Sequence, residues 1–288
     1  MNHGRIERVG VIGSGTMGSQ IAMVCAIAGY HVVLHDIEES SLDKARNSLE
    51  GHMDRRIKKG KLTEAQVEEA FRLIHFSTSL NDFKEVDLVI EAIIEKLEVK
   101  RELFAKLDQI CPKHCILATN SSTIVSSKIA DATNRPEAVC NIHFFNPALV
   151  MDLVEVVKGP HTFNQTADTA YEFVESIHKT PVLLQKEISG FVANRILGKL
   201  MDEAVYLLEN GYATHEEIDL VCTKALNHPI GPFALMDLTG IDVNYYVRQQ
   251  RYEESGNEAD RPARIVEEKV NKGELGRKTG KGFYSYQT

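Results

Sequence analysis

The stretch 9–18, VGVIGSGTMG, decides the fold. Val9, Val11 and Ile12 form a short apolar run of the kind that is buried on both faces of a parallel sheet. Gly13, Gly15 and Gly18 follow with the spacing G-x-G-x-x-G, and from Met17 to Ala28 the chain turns helical. In that setting each glycine has a separate task. The first allows the tight turn, the second lets the backbone approach a pyrophosphate, and the third lets the helix lie close to the strand. The phosphates then sit on the unpaired N–H groups of the helix start. Gly13, Gly15, Thr16, Met17 and Gly18 are therefore the expected cradle of a dinucleotide. A second apolar run, 32–35, ends on Asp36. An acid about 20 residues past the glycines accepts both hydroxyls of an adenosine ribose and repels a 2′-phosphate. No arginine follows in Ile37-Glu38-Glu39, so NAD is expected rather than NADP.

Beyond Asp36 the pattern alternates. A helical period runs over 38–61 through Leu42, Ala45, Leu49, Met53 and Ile57, and Thr63-Glu64-Ala65-Gln66 opens a short helix to Ala70 with a capping amide at the third position. Strand-like runs recur at 71–76, 88–90, 115–118 and 139–143, with a helix over 96–111 and further alternations at 151–157 and 180–184. Strand and helix in turn imply parallel pairing: an α/β, Rossmann-type doubly wound sheet. Past Lys186 the pattern changes to helices over 191–209, 215–225 and 261–272, an all-α C-terminal domain. The expected domains are 1–187 and 188–288. Leu197, Leu200, Met201, Ala204, Leu207 and Leu208 make the first of these helices apolar around much of its circumference, as at a homodimer interface.

Composition narrows the function. The chain has 288 residues, 43% hydrophobic and 26% charged, as in an ordinary globular protein with room for roughly two domains. Its net charge of −8 argues against nucleic acid as a partner. No apolar run reaches the ~18 residues of a membrane span, and the N-terminus enters the first strand without a signal-peptide core, so a cytoplasmic location is expected. Cys25, Cys111, Cys115, Cys140 and Cys222 form no set that would complete a metal site; reduced structural thiols are expected, and no metal.

Ligands of such sheets gather at the carboxyl ends of strands. There lie Glu91, Glu95, Lys96 and Lys100, then Asn120-Ser121-Ser122, then His143-Phe144-Phe145-Asn146-Pro147. Glu155 stands twelve residues past His143, beyond the turn at Asn146-Pro147. If the two runs lie side by side, its carboxylate holds the imidazole in one tautomer and raises its basicity. The run Arg55-Arg56-Ile57-Lys58-Lys59-Gly60-Lys61 has more cations than a helix end requires, in an acidic protein, and is a candidate anion site.

These residues together resemble the 3-hydroxyacyl-CoA dehydrogenases, in particular the short-chain bacterial 3-hydroxybutyryl-CoA dehydrogenases. Six blocks in consistent order carry the likeness: VGVIGSGTMGSQIA, VIEAIIEKLEVKRELF, ATNSST, HFFNPALVMDLVEVV, GFVANRIL and LGRKTGKGFYSY. The resemblance implies that His143 is the acid/base and Glu155 its orienting partner. It implies that Ser122 and Asn194 hydrogen-bond the reacting oxygen, and that Asp36, Glu95, Lys100, Asn120 and Asn146 contact NAD. Arg55, Arg56 and Lys59 then meet the phosphates of coenzyme A. The implied reaction interconverts (S)-3-hydroxybutyryl-CoA and acetoacetyl-CoA, within butanoate or fatty-acid metabolism. Within the same superfamily, gulonate-type sugar-acid dehydrogenases and non-catalytic crystallins are the alternatives. The sugar-acid enzymes need no basic run for a CoA phosphate, and a mere binder needs only the glycine turn and Asp36.

Overall fold

The computed structural model describes residues 6–286, and the chain divides into two compact units, one ending at Phe191 and the other beginning at Val192. In the first, β1 (Arg8–Ile12), α1 (Thr16–Ile27), β2 (His31–His35), α2 (Glu39–Lys58), α3 (Glu64–Leu73) and β3 (Ile74–Ser77) lead to β4 (Leu88–Glu91). Then come α4 (Leu97–Ile110), β5 (Ile116–Thr119), the four-residue α5 (Ser127–Ala130), β6 (Val139–Phe144), β7 (Leu153–Val157), α6 (Asn164–Ser176) and β8 (Thr180–Leu184). The eight strands form one sheet in the order β3-β2-β1-β4-β5-β6-β7-β8. From β3 to β6 all pairs are parallel; β6 and β7 pair antiparallel and β8 runs parallel to β7. The chain passes outward from β1 through β2 to β3 and returns to the other side of β1 with β4. That reversal opens a crevice at the carboxyl ends of β1 and β4.

One core cluster gathers Val9, Val11, Ile21, Met23, Leu34 and Leu49 with their neighbours, the other Phe83, Val89, Phe104, Leu107 and Leu117. Successive residues of β1 and β4 fall into opposite clusters, as period-2 side chains do in a sheet covered on both faces. Local chemistry sets the ends. The Thr63 hydroxyl accepts the Gln66 N–H at 3.2 Å while Gln66 Oε1 accepts the Thr63 N–H at 2.9 Å, the reciprocal cap anticipated for α3. At the end of α2, Gly60 takes φ 65, its N–H donates to the Ile57 carbonyl at 2.8 Å, and the Lys61 N–H donates to the Arg56 carbonyl at 2.9 Å, a Schellman stop.

Some boundaries differ from the sequence reading. The run 71–76 is not all strand: α3 continues to Leu73 because Val67, Ala70 and Phe71 share one helical face against the core, and β3 starts at Ile74. The helix α6 lies where none was expected.

The second unit consists of α7 (Ala193–Glu209), α8 (His215–Lys224), α9 (Pro232–Thr239), α10 (Ile241–Ser255) and α11 (Arg264–Asn271), followed by a bridged tail. It has its own core of Met201, Ala204, Val205, Ile218, Phe233, Met236 and Phe283. Two buried carboxylates organise it. Asp219 accepts the N–H groups of Phe233 and Ala234 that open α9, and Asp237 accepts those of Phe283 and Tyr284 from the tail, each at 2.9 Å. The first long helix begins at Ala193 rather than Phe191, and α9 and α10 were not anticipated. Among the described residues, no helix is long and apolar enough to cross a membrane.

Candidate active site

The glycine turn lies between β1 and α1, and its three glycines differ as their tasks require. Gly13 takes φ 96, and a Cβ there would stand 2.5 Å from the Ala92 carbonyl oxygen. A Cβ on Gly18 would stand 1.8 Å from the Gly13 carbonyl oxygen, so only glycine lets α1 lie this close. Around Gly15 nothing lies within 4 Å of where a Cβ would be, which leaves the backbone open to a ligand. No side chain caps α1, and the N–H groups of its first turn, on Thr16, Met17 and Gly18, have no earlier turn to bond. The turn borders a cavity of about 670 Å³, walled on the apolar side by Ile37, Leu80, Ile94, Val99 and Leu103. A phosphate cradle beside an apolar slot and an acid fits a dinucleotide.

That acid is Asp36, at the rim of the cavity. Its Oδ2 accepts the N–H and the hydroxyl of Ser14, both at 2.8 Å, and its Oδ1 the N–H of Glu38 at 3.3 Å. Burial pushes the carboxyl up, but these donors outweigh it and hold Asp36 below the usual carboxylate range. It stands as an anion, suited to accept hydroxyls and to repel a phosphate.

Lys100 is enclosed beneath the surface of this end of the sheet. It is 1% exposed, and its ammonium donates to Glu91 Oε1 at 2.6 Å and pairs with Glu95 Oε2 at 3.2 Å. The covered ammonium thus holds Glu91 and Glu95 together at the carboxyl end of β4. Glu91 is fully buried and also accepts the Ile93 N–H at 2.7 Å and the Thr119 hydroxyl at 2.7 Å. Glu95 reaches outward and accepts the hydroxyls of Ser121 and Thr123. Burial pushes its carboxyl up, while Lys100 and those hydroxyls pull it below the usual range. Asn120 Oδ1 accepts the Phe144 N–H at 2.8 Å and so ties the end of β5 to β6, and Asn146 is exposed on the turn after β6.

His143 and Glu155 face one another across the antiparallel β6–β7 pair. His143 Nδ1 lies 2.9 Å from Glu155 Oε2; the imidazole is 6% exposed and the carboxylate 1%. With the carboxylate as acceptor, Nδ1 carries a proton and donates, so that in the neutral ring Nε2 holds the lone pair. The rings of Phe145 and Phe191 flank the imidazole, at centroid distances of 4.6 Å and 5.4 Å.

Ser122 sits half-buried on the loop after β5. The fully buried Asn141, two residues before His143 on the same face of β6, clamps that loop: its Nδ2 donates to the carbonyls of Ser121 and Ile124, both at 3.2 Å, and its Oδ1 accepts the Ser126 N–H at 2.8 Å. The Ser122 carbonyl also accepts the Gly190 N–H at 3.0 Å. One residue further, Phe191 is fully buried and takes φ 47, a left-handed backbone that costs a bulky residue about 1–3 kcal/mol. Sequence reasoning missed both Asn141 and Phe191. An amide in an otherwise apolar strand, VCNIHF, was a visible signal for the first; the glycine before Phe191 hinted only at a turn.

The basic helix end meets the turn that follows β6. Arg56 donates to the Leu149 carbonyl, and Lys179 to the Met151 carbonyl at 2.8 Å. Arg55 is exposed and lies 3.0 Å from His52 Nδ1, and Lys59 is exposed. Asn194 is half-buried in the first turn of α7, in the second unit. All five cysteines are free and buried, and burial pushes the Cys25 and Cys140 thiols up to about 12. Among the described residues, no group of three His, Cys, Asp or Glu side chains is placed to hold a metal.

Residues 8–188 match the NAD-binding domain of 3-hydroxyacyl-CoA dehydrogenase, and residues 190–286 match its C-terminal domain. Over 279 residues the chain is 40% identical to a probable 3-hydroxybutyryl-CoA dehydrogenase of Deinococcus radiodurans, covering 97% of this chain and 100% of that protein. It is 40% identical over 279 residues to the 3-hydroxybutyryl-CoA dehydrogenase of Clostridioides difficile, covering 97% and 99%. The crystal structure of (S)-3-hydroxybutyryl-CoA dehydrogenase from Ralstonia eutropha superposes with a TM-score of 0.92 at 40% identity, over 98% of this chain and 100% of that one.

Proposed function

The chain belongs to the 3-hydroxyacyl-CoA dehydrogenase family, and on that premise we propose that it interconverts (S)-3-hydroxybutyryl-CoA and acetoacetyl-CoA, as a cytoplasmic homodimer. The observation that carries this reading is the buried His143–Glu155 pair at 2.9 Å, at the carboxyl end of a sheet whose β1 ends in the glycine turn. Bound NAD supplies the hydride acceptor; the turn residues hold its phosphates and Asp36 its adenosine ribose.

The chain's own residues handle the proton. In the oxidation, Nε2 of His143 accepts the proton of the 3-hydroxyl, and the imidazolium so formed faces the Glu155 carboxylate, which stabilises it. In the reduction the same imidazolium gives the proton back. Ser122 donates to the oxygen on which negative charge builds; one such donor is typically worth about 2.7–4 kcal/mol of barrier. Asn194 has the same task by resemblance alone. Arg55 and Lys59, with Arg56 behind them, supply the positive field for the phosphates of coenzyme A that a protein of net charge −8 otherwise lacks. The contact of Arg56 with Leu149 supports this, since it joins the basic helix end to the turn leaving the His143 strand. Exposed apolar side chains on the second unit, Ile196, Tyr206, Leu220, Val221 and Tyr246, support pairing with a second copy.

The test is oxidation of NADH followed by absorbance with acetoacetyl-CoA or a free keto sugar acid as the carbonyl substrate. Turnover with acetoacetyl-CoA alone is expected. Turnover only with the sugar acid, or tight NADH binding with neither reaction, overturns the reading.

A further inference from the structure

We propose that Phe191 is a positioning residue for the acid/base step and that it clamps the His143 imidazole together with Phe145, an inference that rests on the dehydrogenase reading above. A single hydrogen bond fixes one atom of a ring. The bond from Nδ1 to Glu155 leaves the imidazole free to pivot about that contact, and a small pivot swings Nε2, the atom that must meet the substrate's proton. The two phenyl rings remove that freedom: Phe145 stands edge-on to the imidazole at an interplanar angle of 62°, Phe191 at 57°.

The backbone says the same. A fully buried phenylalanine at φ 47 is held against its own preference, and such outliers persist only where the surroundings over-determine them. Here the Phe191 N–H donates to the Ile188 carbonyl at 3.0 Å, and its side chain packs with Val157 and Leu184, with Val125 beside them. The adjoining Gly190, at φ 77, donates its N–H to the Ser122 carbonyl. The segment 188–191 is thereby fastened to the loop of one mechanistic residue while it delivers a ring to the other. Phe191 thus sets where Nε2 points, while the adjoining Gly190 ties the same segment to the Ser122 loop.

The variants Phe191→Leu and Phe145→Leu keep apolar bulk and remove a planar ring. Each is measured in the full-length protein for kcat and KM with acetoacetyl-CoA, for NADH affinity by fluorescence titration, and for the His143 imidazole by 15N spectroscopy. We expect kcat to fall roughly 10-fold or more, as for a misplaced catalytic group, with NADH affinity unchanged. The wild-type signature, a single tautomer protonated at Nδ1, should give way to a mixed or broadened one. A loss of packing alone would leave that signature intact. Wild-type kcat with a wild-type imidazole signal in either leucine variant overturns the clamp, and should Phe191→Leu fail to fold, Phe145→Leu decides. The two failures are separable: no turnover of acetoacetyl-CoA by the wild type overturns the dehydrogenase reading and near-normal turnover by His143→Ala overturns its acid/base assignment, whereas a dead His143→Ala beside fully active leucine variants overturns only the clamp.

Discussion

The glycine turn and the β6–β7 pair, which we propose serve one reaction, are built in opposite ways. The turn works through atoms that are missing: no Cβ at Gly13, Gly15 or Gly18, and no side chain over the first N–H groups of α1. The pair works through atoms that are present, an imidazole and a carboxylate on facing strands, both more than nine-tenths buried. The first should therefore be damaged by adding a methyl group and the second by removing a side chain. Binding and chemistry should separate cleanly along that line.

The largest effect is expected on the side-chain-built half. His143→Ala removes the proposed acid/base, and initial rates of acetoacetyl-CoA reduction should fall by roughly 10²–10⁴-fold, the usual contribution of a positioned acid/base. NADH affinity, read by fluorescence, should stay near wild type. A parallel loss of affinity would break the separation. Glu155→Gln is next. It keeps the shape but withdraws the charge that stabilises the imidazolium, and turnover should drop by about 10²-fold, again with NADH binding intact. Equal rates in the wild type and this variant would mean that the carboxylate merely fills space.

The backbone-built half gives a sharper contrast within itself. In Gly15→Ala the new methyl meets nothing in the free protein. Its melting temperature without ligand should match the wild type, while the stabilisation that NADH confers by binding only the folded state shrinks. In Gly18→Ala the methyl would fall 1.8 Å from the Gly13 carbonyl oxygen, so α1 must shift. The protein should lose about 1–3 kcal/mol of stability before any ligand is added. If both variants melt alike in the absence of NADH, the reading of the two glycines is wrong.

The same contrast explains what the sequence made legible. The turn could be read residue by residue because it depends on local backbone sterics, and G-x-G-x-x-G after an apolar run states those sterics directly. The His143–Glu155 pair needed one non-local step, the pairing of two strands, and the tight turn at Asn146-Pro147 made that step short. The burial of Lys100 was not legible, because nothing in a helical repeat distinguishes a lysine reaching into solvent from one enclosed between Glu91 and Glu95. Phe191 was read as the start of a helix because a strained residue leaves no trace in periodicity. The missed helices have physical causes too. In α9, PFALMDLT is apolar almost all round, which hides the period of a helix. In α10, IDVNYYVRQQRYEES mixes β-branched and aromatic residues of weak helix propensity over its first half. Both helices owe their form to packing within their own unit rather than to pattern.

The smallest effect concerns Asp36, where the turn borrows one side chain. Donors from Ser14 hold this carboxyl below its ordinary range against the opposing pull of burial. Because the folded pKa is depressed, the stability that ionised Asp36 contributes is fully present above the carboxylate's unfolded value and is lost as pH falls through the folded one. The group is partly exposed, so screening should keep this contribution to roughly 1 kcal/mol or less. Denaturant unfolding of wild type and Asp36→Asn should therefore show a small, constant gap at neutral pH that closes only on acidification below the normal carboxylate range. Ser14→Ala should make the gap close at a higher pH, since it removes a donor to the anion. A gap that widens in acid would carry the opposite sign and mean that burial wins and Asp36 is protonated in the folded protein. The rim would then present a carboxylic acid where an NAD ribose requires an acceptor, and the preference over NADP would need another source.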